Sequence, residues 1–271
     1  MLTVPDSPFL VCATPRSGST LLCELLAATD VAGRPQEYFE RLYATNLPRQ
    51  PREYFEHVDD PDVVELLKPT DTSAVPESAE SFETRLAAAL QEGSTPNGVW
   101  SSKLMWGYAL DLLRRLHERP QTEGLRPYDA LETLLPGVRY VHVRRRDKVA
   151  QAISLWTAVQ TARWRQEDEE DSGPPPEPVY SFAGIQHLVT QLTNSDQAWL
   201  AWFAGGGIEP ETVIYEELIE DQRGTVLGLL RSLQIDTHGV DVPAPTMRRQ
   251  SGGRSAEWAE RFNSDRKGAA V

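Results

Sequence analysis

Residues 9–26 read FLVCATPRSGSTLLCELL. Phe9-Leu-Val-Cys-Ala13 is a short unbroken apolar run, the pattern of a strand buried on both faces. TPRSGST, Thr14 to Thr20, follows at once, and after it Leu21, Leu22, Leu25 and Leu26 recur with helical spacing. The unit reads strand, tight loop, helix. A loop that leaves a buried strand and opens a helix collects free backbone N–H groups and the positive end of the helix dipole, so it is suited to an anion. Gly18 lets the backbone curve tightly. Ser17, Ser19 and Thr20 add hydroxyls, and Arg16 adds a planar cation. The spacing differs from the nucleotide-triphosphate loop, which needs Gly, four residues, then Gly-Lys-Ser/Thr. A plainer reading, an ordinary helix N-cap made by Ser17 or Ser19, stays open at this point.

Working outward, Val99–Met105 and Val138–Val143 are further strand candidates, with Thr212–Tyr215 as the last. Leucine-rich helical spacing follows Met105, and Val149, Ile153, Trp156 and Val159 share one helix face. A helix is expected near 79–92, a long one ending at Gly205-Gly-Gly207, and mostly helix from Leu218 to Leu233. Strands alternating with helices predict an α/β fold, a mainly parallel central sheet with helices on both faces. A single domain over residues 1–271 accommodates this pattern, with a mobile acidic, proline-rich loop at about 166–178 and a disordered tail at 263–271.

Composition narrows the function classes. The chain has 27 Lys plus Arg against 40 Asp plus Glu, a net charge of −13, which argues against general nucleic-acid binding. The arginines are nevertheless concentrated: Arg144-Arg145-Arg146 are consecutive, and Arg248, Arg249 and Arg254 cluster late. An acidic protein that gathers arginine in a few places fits a compact anionic ligand. No apolar stretch reaches the ~20 residues of a membrane span, and the first residues carry no secretory pattern, so a cytoplasmic location is expected. Cys12 and Cys23 have no metal or disulfide spacing and read as core, and the five histidines are scattered, so no metal is expected.

The second constellation is Arg146, closing a strand, and Ser154, eight residues on inside the following helix. Both can face one phosphate, or both can be surface residues. Taken with TPRSGST, the pair resembles the sulfotransferase family. In that family a first strand–loop–helix binds a 5′-phosphosulfate, and an Arg and a Ser eight apart bind a 3′-phosphate. Val213-Ile-Tyr-Glu-Glu-Leu218 resembles a further, weakly specific family segment. The resemblance is closest to the bacterial trehalose 2-sulfotransferase group. It runs through Gly33-Arg-Pro-Gln-Glu-Tyr-Phe39, Pro51-Arg-Glu-Tyr-Phe55, Thr95–Trp100, Lys103-Leu-Met-Trp106 and Ala150-Gln-Ala-Ile-Ser154.

The resemblance implies a P-loop-like sulfotransferase fold and transfer of a sulfuryl group from 3′-phosphoadenosine 5′-phosphosulfate to a hydroxyl of a small acceptor, a carbohydrate such as trehalose. It implies Glu37 as the general base and Arg16 as a catalytic cation. The nucleotide falls to Arg16, Ser17, Gly18, Ser19, Thr20, Arg146 and Ser154, with Arg249 and Arg254 from a late basic loop. The acceptor falls to Pro15, Arg34, Gln36, Glu37, Tyr38, Phe39, Arg49 and Tyr54. Where the group typically has Gln, this chain has Pro15, which offers no side-chain hydrogen bond. The group's known members form homodimers, an expectation carried over here. Sulfation of a non-trehalose metabolite alcohol, a nucleotide-dependent kinase and a catalytically silent nucleotide-binding protein are the other readings. The kinase is opposed by the missing Gly-Lys-Ser/Thr loop.

Overall fold

The run that opens the sequence argument is strand β1, Ser7–Ala13, in a computed structural model that describes residues 5–40, 51–56, 58–67, 81–161, 163–164, 177–243 and 253–269. The elements that follow are α1 (Ser19–Ala27), a 3-10 turn (Pro51–Tyr54), α2 (Pro61–Leu66), α3 (Phe82–Glu92), β2 (Val99–Met105), α4 (Trp106–His117), α5 (Pro127–Leu134) and β3 (Arg139–Arg144). After them come α6 (Lys148–Thr161), α7 (Phe182–Gly206), β4 (Glu211–Ile214), α8 (Tyr215–Glu220), α9 (Gln222–Ser232) and α10 (Gly253–Ala269). Arg49, Arg249 and the acidic loop through residue 176 lie outside the described residues. The chain groups into two compact units: Met1–Leu47, Val75–Arg146 and Ser195–Pro245 in one, Pro48–Ala74, Asp147–Asn194 and Thr246–Val271 in the other.

The larger unit holds a four-stranded, all-parallel sheet in the order β2-β1-β3-β4. Successive residues of β1 face opposite sides, so its apolar run serves two cores at once. Phe9, Val11 and Ala13 pack with Leu22, Leu25 and Leu26 of α1 and with Val226, Leu229 and Leu230 of α9. Leu10 and Cys12 pack on the other side with α3, α4 and α5 and with Trp199, Trp202 and Phe203. Trp199 Nε1 also donates to the carbonyl of Ala13 at 3.0 Å, fixing the end of β1. His142 is buried against Phe203. From β1 the chain moves to β2 on one side and then crosses to β3 on the other. The carboxyl end of β1 is therefore a topological switch point, where open parallel sheets leave a crevice for ligands.

In the smaller unit, Ala152, Ile153, Leu155, Trp156 and Val159 of α6 pack with Ile185, Leu188 and Leu192, and with Trp258 and Phe262 of α10. Residues 263–269, expected as a disordered tail, instead continue α10. The reason is that Trp258 and Phe262, at i and i+4, bury one face and carry the polar turns beyond them. The segment from Leu218 to Leu233 is two helices, because Asp221 breaks it and caps α9 by accepting from the Gly224 N–H at 2.8 Å. Among the described residues no helix is long and apolar enough to cross a membrane.

Candidate active site

The loop Thr14–Thr20 leaves β1 at the switch point. Gly18 is the residue before α1, at φ +90°, and no side chain caps the helix. The simple N-cap reading therefore fails, and the first-turn N–H groups of α1 are left for a ligand. Ser17 is fully buried and its Oγ has no hydrogen-bond partner among the described residues. A buried hydroxyl left so costs about 1–3 kcal/mol, which an anion accepting its proton would offset. A Cβ on Gly18 would lie 2.3 Å from Tyr215 Cδ2, so no other residue fits there without displacing that ring. Arg16 adopts φ +61°, a left-handed conformation that non-glycine residues hold mainly where surroundings impose it. An uncapped helix start beside a buried hydroxyl and a glycine that lets the backbone come close suits a compact anion.

Glu37 reaches this loop through β2. The segment 32–37 runs along that strand: Ser101 Oγ donates to the Ala32 carbonyl at 2.8 Å, and the Lys103 N–H and Ser102 Oγ donate to the Gln36 carbonyl at 2.9 and 3.0 Å. Gln36 thereby forms a parallel bridge to Ser102, and Glu37 comes beside the Lys103 side chain. Lys103 Nζ lies 2.6 Å from Glu37 Oε1 and donates to Thr20 Oγ1 at 3.1 Å. One ammonium thus joins the candidate base to the anion loop. The Tyr108 hydroxyl donates to Glu37 Oε2 at 2.8 Å. Burial first, and then the neighbouring Glu37 charge, push the Tyr108 phenol well above its ordinary value, so it remains a donor. The Lys103 side chain is 4% exposed and that of Glu37 is 25% exposed, so the carboxylate keeps some access to solvent while its partner does not.

The three arginines after β3 take different partners. Arg144 Nε lies 3.9 Å from Oδ2 of the buried Asp196, whose Oδ1 accepts from Thr14 Oγ1 at 3.3 Å. Arg145 Nη1 donates to the Arg16 carbonyl at 3.3 Å, and its guanidinium sits 4.5 Å from the centre of the Tyr215 ring. Arg146 is exposed; its N–H donates to both carboxylate oxygens of Glu216 at 3.1 Å, and its side chain pairs with Glu217. Arg146 belongs to the larger unit and the half-buried Ser154 of α6 to the smaller.

Arg16, Ser17, Gly18, Ser19, Thr20 and Glu37 are thus gathered at one end of the sheet. Arg34 and Gln36 are exposed on the segment that carries Glu37, and Pro15 is half-buried next to Arg16. Tyr38 is buried and its hydroxyl donates to the Arg34 carbonyl at 2.8 Å, while Phe39 packs on the core. Tyr54 is buried in the smaller unit, stacked on Trp164 at 5.5 Å. Arg254 is half-exposed, 3.7 Å from Glu177. Sequence reasoning did not single out Lys103, Tyr108, Arg145, Asp196 or Tyr215. A lone lysine inside the apolar strand Val99–Met105 was the one readable sign among them. Among the described residues, no three His, Cys, Asp or Glu side chains come together as a metal site.

The family model described as Stf0 sulphotransferase matches residues 8–265. The trehalose 2-sulfotransferase of Mycobacterium tuberculosis (strain ATCC 35801 / TMC 107 / Erdman) is 39% identical over 265 residues, 95% of each chain. That of Mycolicibacterium smegmatis (strain ATCC 700084 / mc(2)155) is 37% identical over 264 residues, 95% of this chain and 94% of the relative. Among solved structures, the sulfotransferase domain from the curacin biosynthetic pathway aligns with 94% of this chain and 83% of its own, at 17% identity and a TM-score of 0.49. With a family model spanning almost the whole chain and relatives near two-fifths identical, the chain belongs to the Stf0 sulphotransferase family.

Proposed function

We propose that this protein transfers a sulfuryl group from 3′-phosphoadenosine 5′-phosphosulfate to a hydroxyl of a carbohydrate of the trehalose class. The observation that carries the reading is the Glu37–Lys103–Thr20 chain, which sets a partly exposed carboxylate one ammonium away from an uncapped helix N-terminus. The acceptor oxygen forms a bond to sulfur while the bond from sulfur to the 5′-phosphate oxygen breaks. The electron pair of that bond leaves with the phosphate, and the hydroxyl proton passes to Glu37. Arg16, the N–H groups at the start of α1 and the Ser17 hydroxyl take up the charge that grows on the departing phosphate. Lys103 and Tyr108 hold the carboxylate between them, so that it meets the hydroxyl in a fixed orientation.

Arg146 and Ser154 are assigned to the 3′-phosphate, and Arg249 and Arg254 to the late loop over the nucleotide. These assignments rest on the family resemblance. Because Pro15 has no donor or acceptor in its side chain, recognition of the acceptor falls to the exposed Arg34 and Gln36 flanking the base. The two relatives named for trehalose support a disaccharide of that kind. The test is transfer of label from ³⁵S-labelled donor to a panel of sugars that includes trehalose, with wild type and Glu37→Gln. Labelled sugar from wild type, lost in the variant while donor still binds, is the expected result. A variant as active as wild type would remove Glu37 as base, and a wild type that binds no donor would overturn the reading.

A further inference from the structure

One feature of the anion loop is unfavourable for an isolated chain: Arg16 at φ +61°, two residues before Gly18, whose φ of +90° glycine adopts freely. Something outside the loop must hold Arg16 there. On one side of Gly18 lies the ring of Tyr215, so close that a Cβ would be within 2.3 Å of Cδ2, 3.1 Å of Cε2 and 3.3 Å of Cγ. Over that ring stands Arg145, its guanidinium 4.5 Å from the ring centre. The same guanidinium closes the circuit by donating to the Arg16 carbonyl at 3.3 Å. The path runs from loop backbone to aromatic ring to guanidinium and back to loop backbone.

The adjacent residues repeat this pairing of two segments. Arg146 gives its N–H to Glu216 and its side chain to Glu217, directly beside the Arg145–Tyr215 stack. Since β3 pairs with β4 through Arg144 and Ile214, the two strands deliver Arg145-Arg146 and Tyr215-Glu216-Glu217 side by side. A guanidinium over an aromatic face is attracted by the ring quadrupole, and more strongly where water is partly excluded. Arg145 and Tyr215 are both half-buried.

We propose that Arg145 and Tyr215 are positioning residues that hold the loop Thr14–Thr20 in its left-handed, anion-receiving conformation, Tyr215 by its ring and Arg145 by stacking on that ring and hydrogen-bonding the Arg16 carbonyl. The proposal rests on the reading of that loop as the phosphosulfate site. It makes the ring of Tyr215, and not its hydroxyl, the feature that matters, and it makes the two residues act as one device.

The experiment compares Tyr215→Leu, Tyr215→Phe, Arg145→Gln and the double variant Tyr215→Leu/Arg145→Gln as full chains. Binding of 3′-phosphoadenosine 5′-phosphate is read by calorimetry, and amide exchange of residues 15–20 is read without ligand. Tyr215→Leu and Arg145→Gln are each expected to weaken binding about tenfold and to speed loop exchange by a similar factor, with the acceptor KM little changed. The double variant should be little worse than either single one, as members of one device are not additive. Tyr215→Phe, which keeps the ring, should rescue binding to within about twofold of wild type. Phe as damaging as Leu, unchanged exchange in Leu and Gln, or additive losses would each overturn the brace. If Tyr215→Leu does not fold, Arg145→Gln carries the same comparison with the ring in place. If wild type binds no nucleotide, the phosphosulfate reading falls, while the exchange arm still decides the brace by itself.

Discussion

Replacing Glu37, the proposed base, should damage stability more than its own exposure implies, because its partner is the more deeply buried of the two. Lys103 is 4% exposed and Glu37 25%, at a separation of 2.6 Å. Glu37→Gln leaves a buried ammonium with the Thr20 hydroxyl and a neutral amide oxygen. Breaking a fully buried pair by removing one member costs about 3–5 kcal/mol; the partial exposure and the surviving amide oxygen lower this to about 2–3 kcal/mol. For a chain of this size each kcal/mol moves the melting temperature by about 2–4 °C, so Glu37→Gln should melt about 4–12 °C below wild type. Lys103→Met is the milder change, about 1–2 kcal/mol, since the remaining carboxylate keeps the Tyr108 hydrogen bond and some contact with water. The double variant places two neutral side chains together and should recover much of the loss, with a coupling of about 1–3 kcal/mol. Activity should behave differently. Transfer should fall by about 100-fold or more in every variant lacking Glu37, so the double variant should be inactive even though it loses less stability than the two singles combined. Thermal and denaturant unfolding of the four proteins, with transfer measured alongside, decides this. A Glu37→Gln protein that melts within a degree of wild type, or a double variant whose loss equals the sum of the singles, would refute the buried-partner argument.

Gly18→Ala should lose nucleotide binding and about 2–5 kcal/mol of stability, adding a left-handed backbone penalty of about 1–2 to an overpacking penalty of about 1–3. The structural cause is φ +90° together with a Cβ 2.3 Å from Tyr215 Cδ2, and retained binding by calorimetry would contradict it. The phenol of Tyr108 is raised by burial and then by Glu37, so the folded state favours its neutral form. That stabilisation is complete below the ordinary tyrosine value of about 10 and is lost as pH climbs above it. Melting temperature against pH should therefore fall less steeply above about pH 10 in Tyr108→Phe than in wild type; identical slopes would show that Tyr108 does not drive the alkaline loss.

What was legible in the sequence follows from how local each feature is. The strand–loop–helix at residues 9–26 is contiguous, and its reading as an anion site needs only the periodicity on either side and one glycine between. Glu37 is of another kind: nothing within Gly33–Phe39 marks it, and only the resemblance did. Its placement depends on the pairing of Gln36 with Ser102, 66 residues away. Lys103 lay between these cases. A lysine within the buried strand Val99–Met105 implies a buried acid nearby, since such a charge is rarely left alone in a core. Which acid it was could not be read, because 40 carboxylates compete for the role.

The three arginines after β3 show why the remainder was hidden. In sequence they are identical neighbours, yet Arg144 turns to Asp196, Arg145 to Tyr215 and Arg146 to Glu216 and Glu217. Their sorting is set by the end of the sheet, where β4 pairs with β3 and α7 supplies the acid, and none of that is local. The pattern also accounts for a site rich in cations on a chain of net charge −13. Lys103 and the three arginines each face an internal carboxylate or an aromatic ring. Their mutual repulsion is thereby relieved by the protein's own groups. Removing one of the acids should therefore disorder a cation as well as unpair it, which is why losses at this site will not sort cleanly into binding and stability.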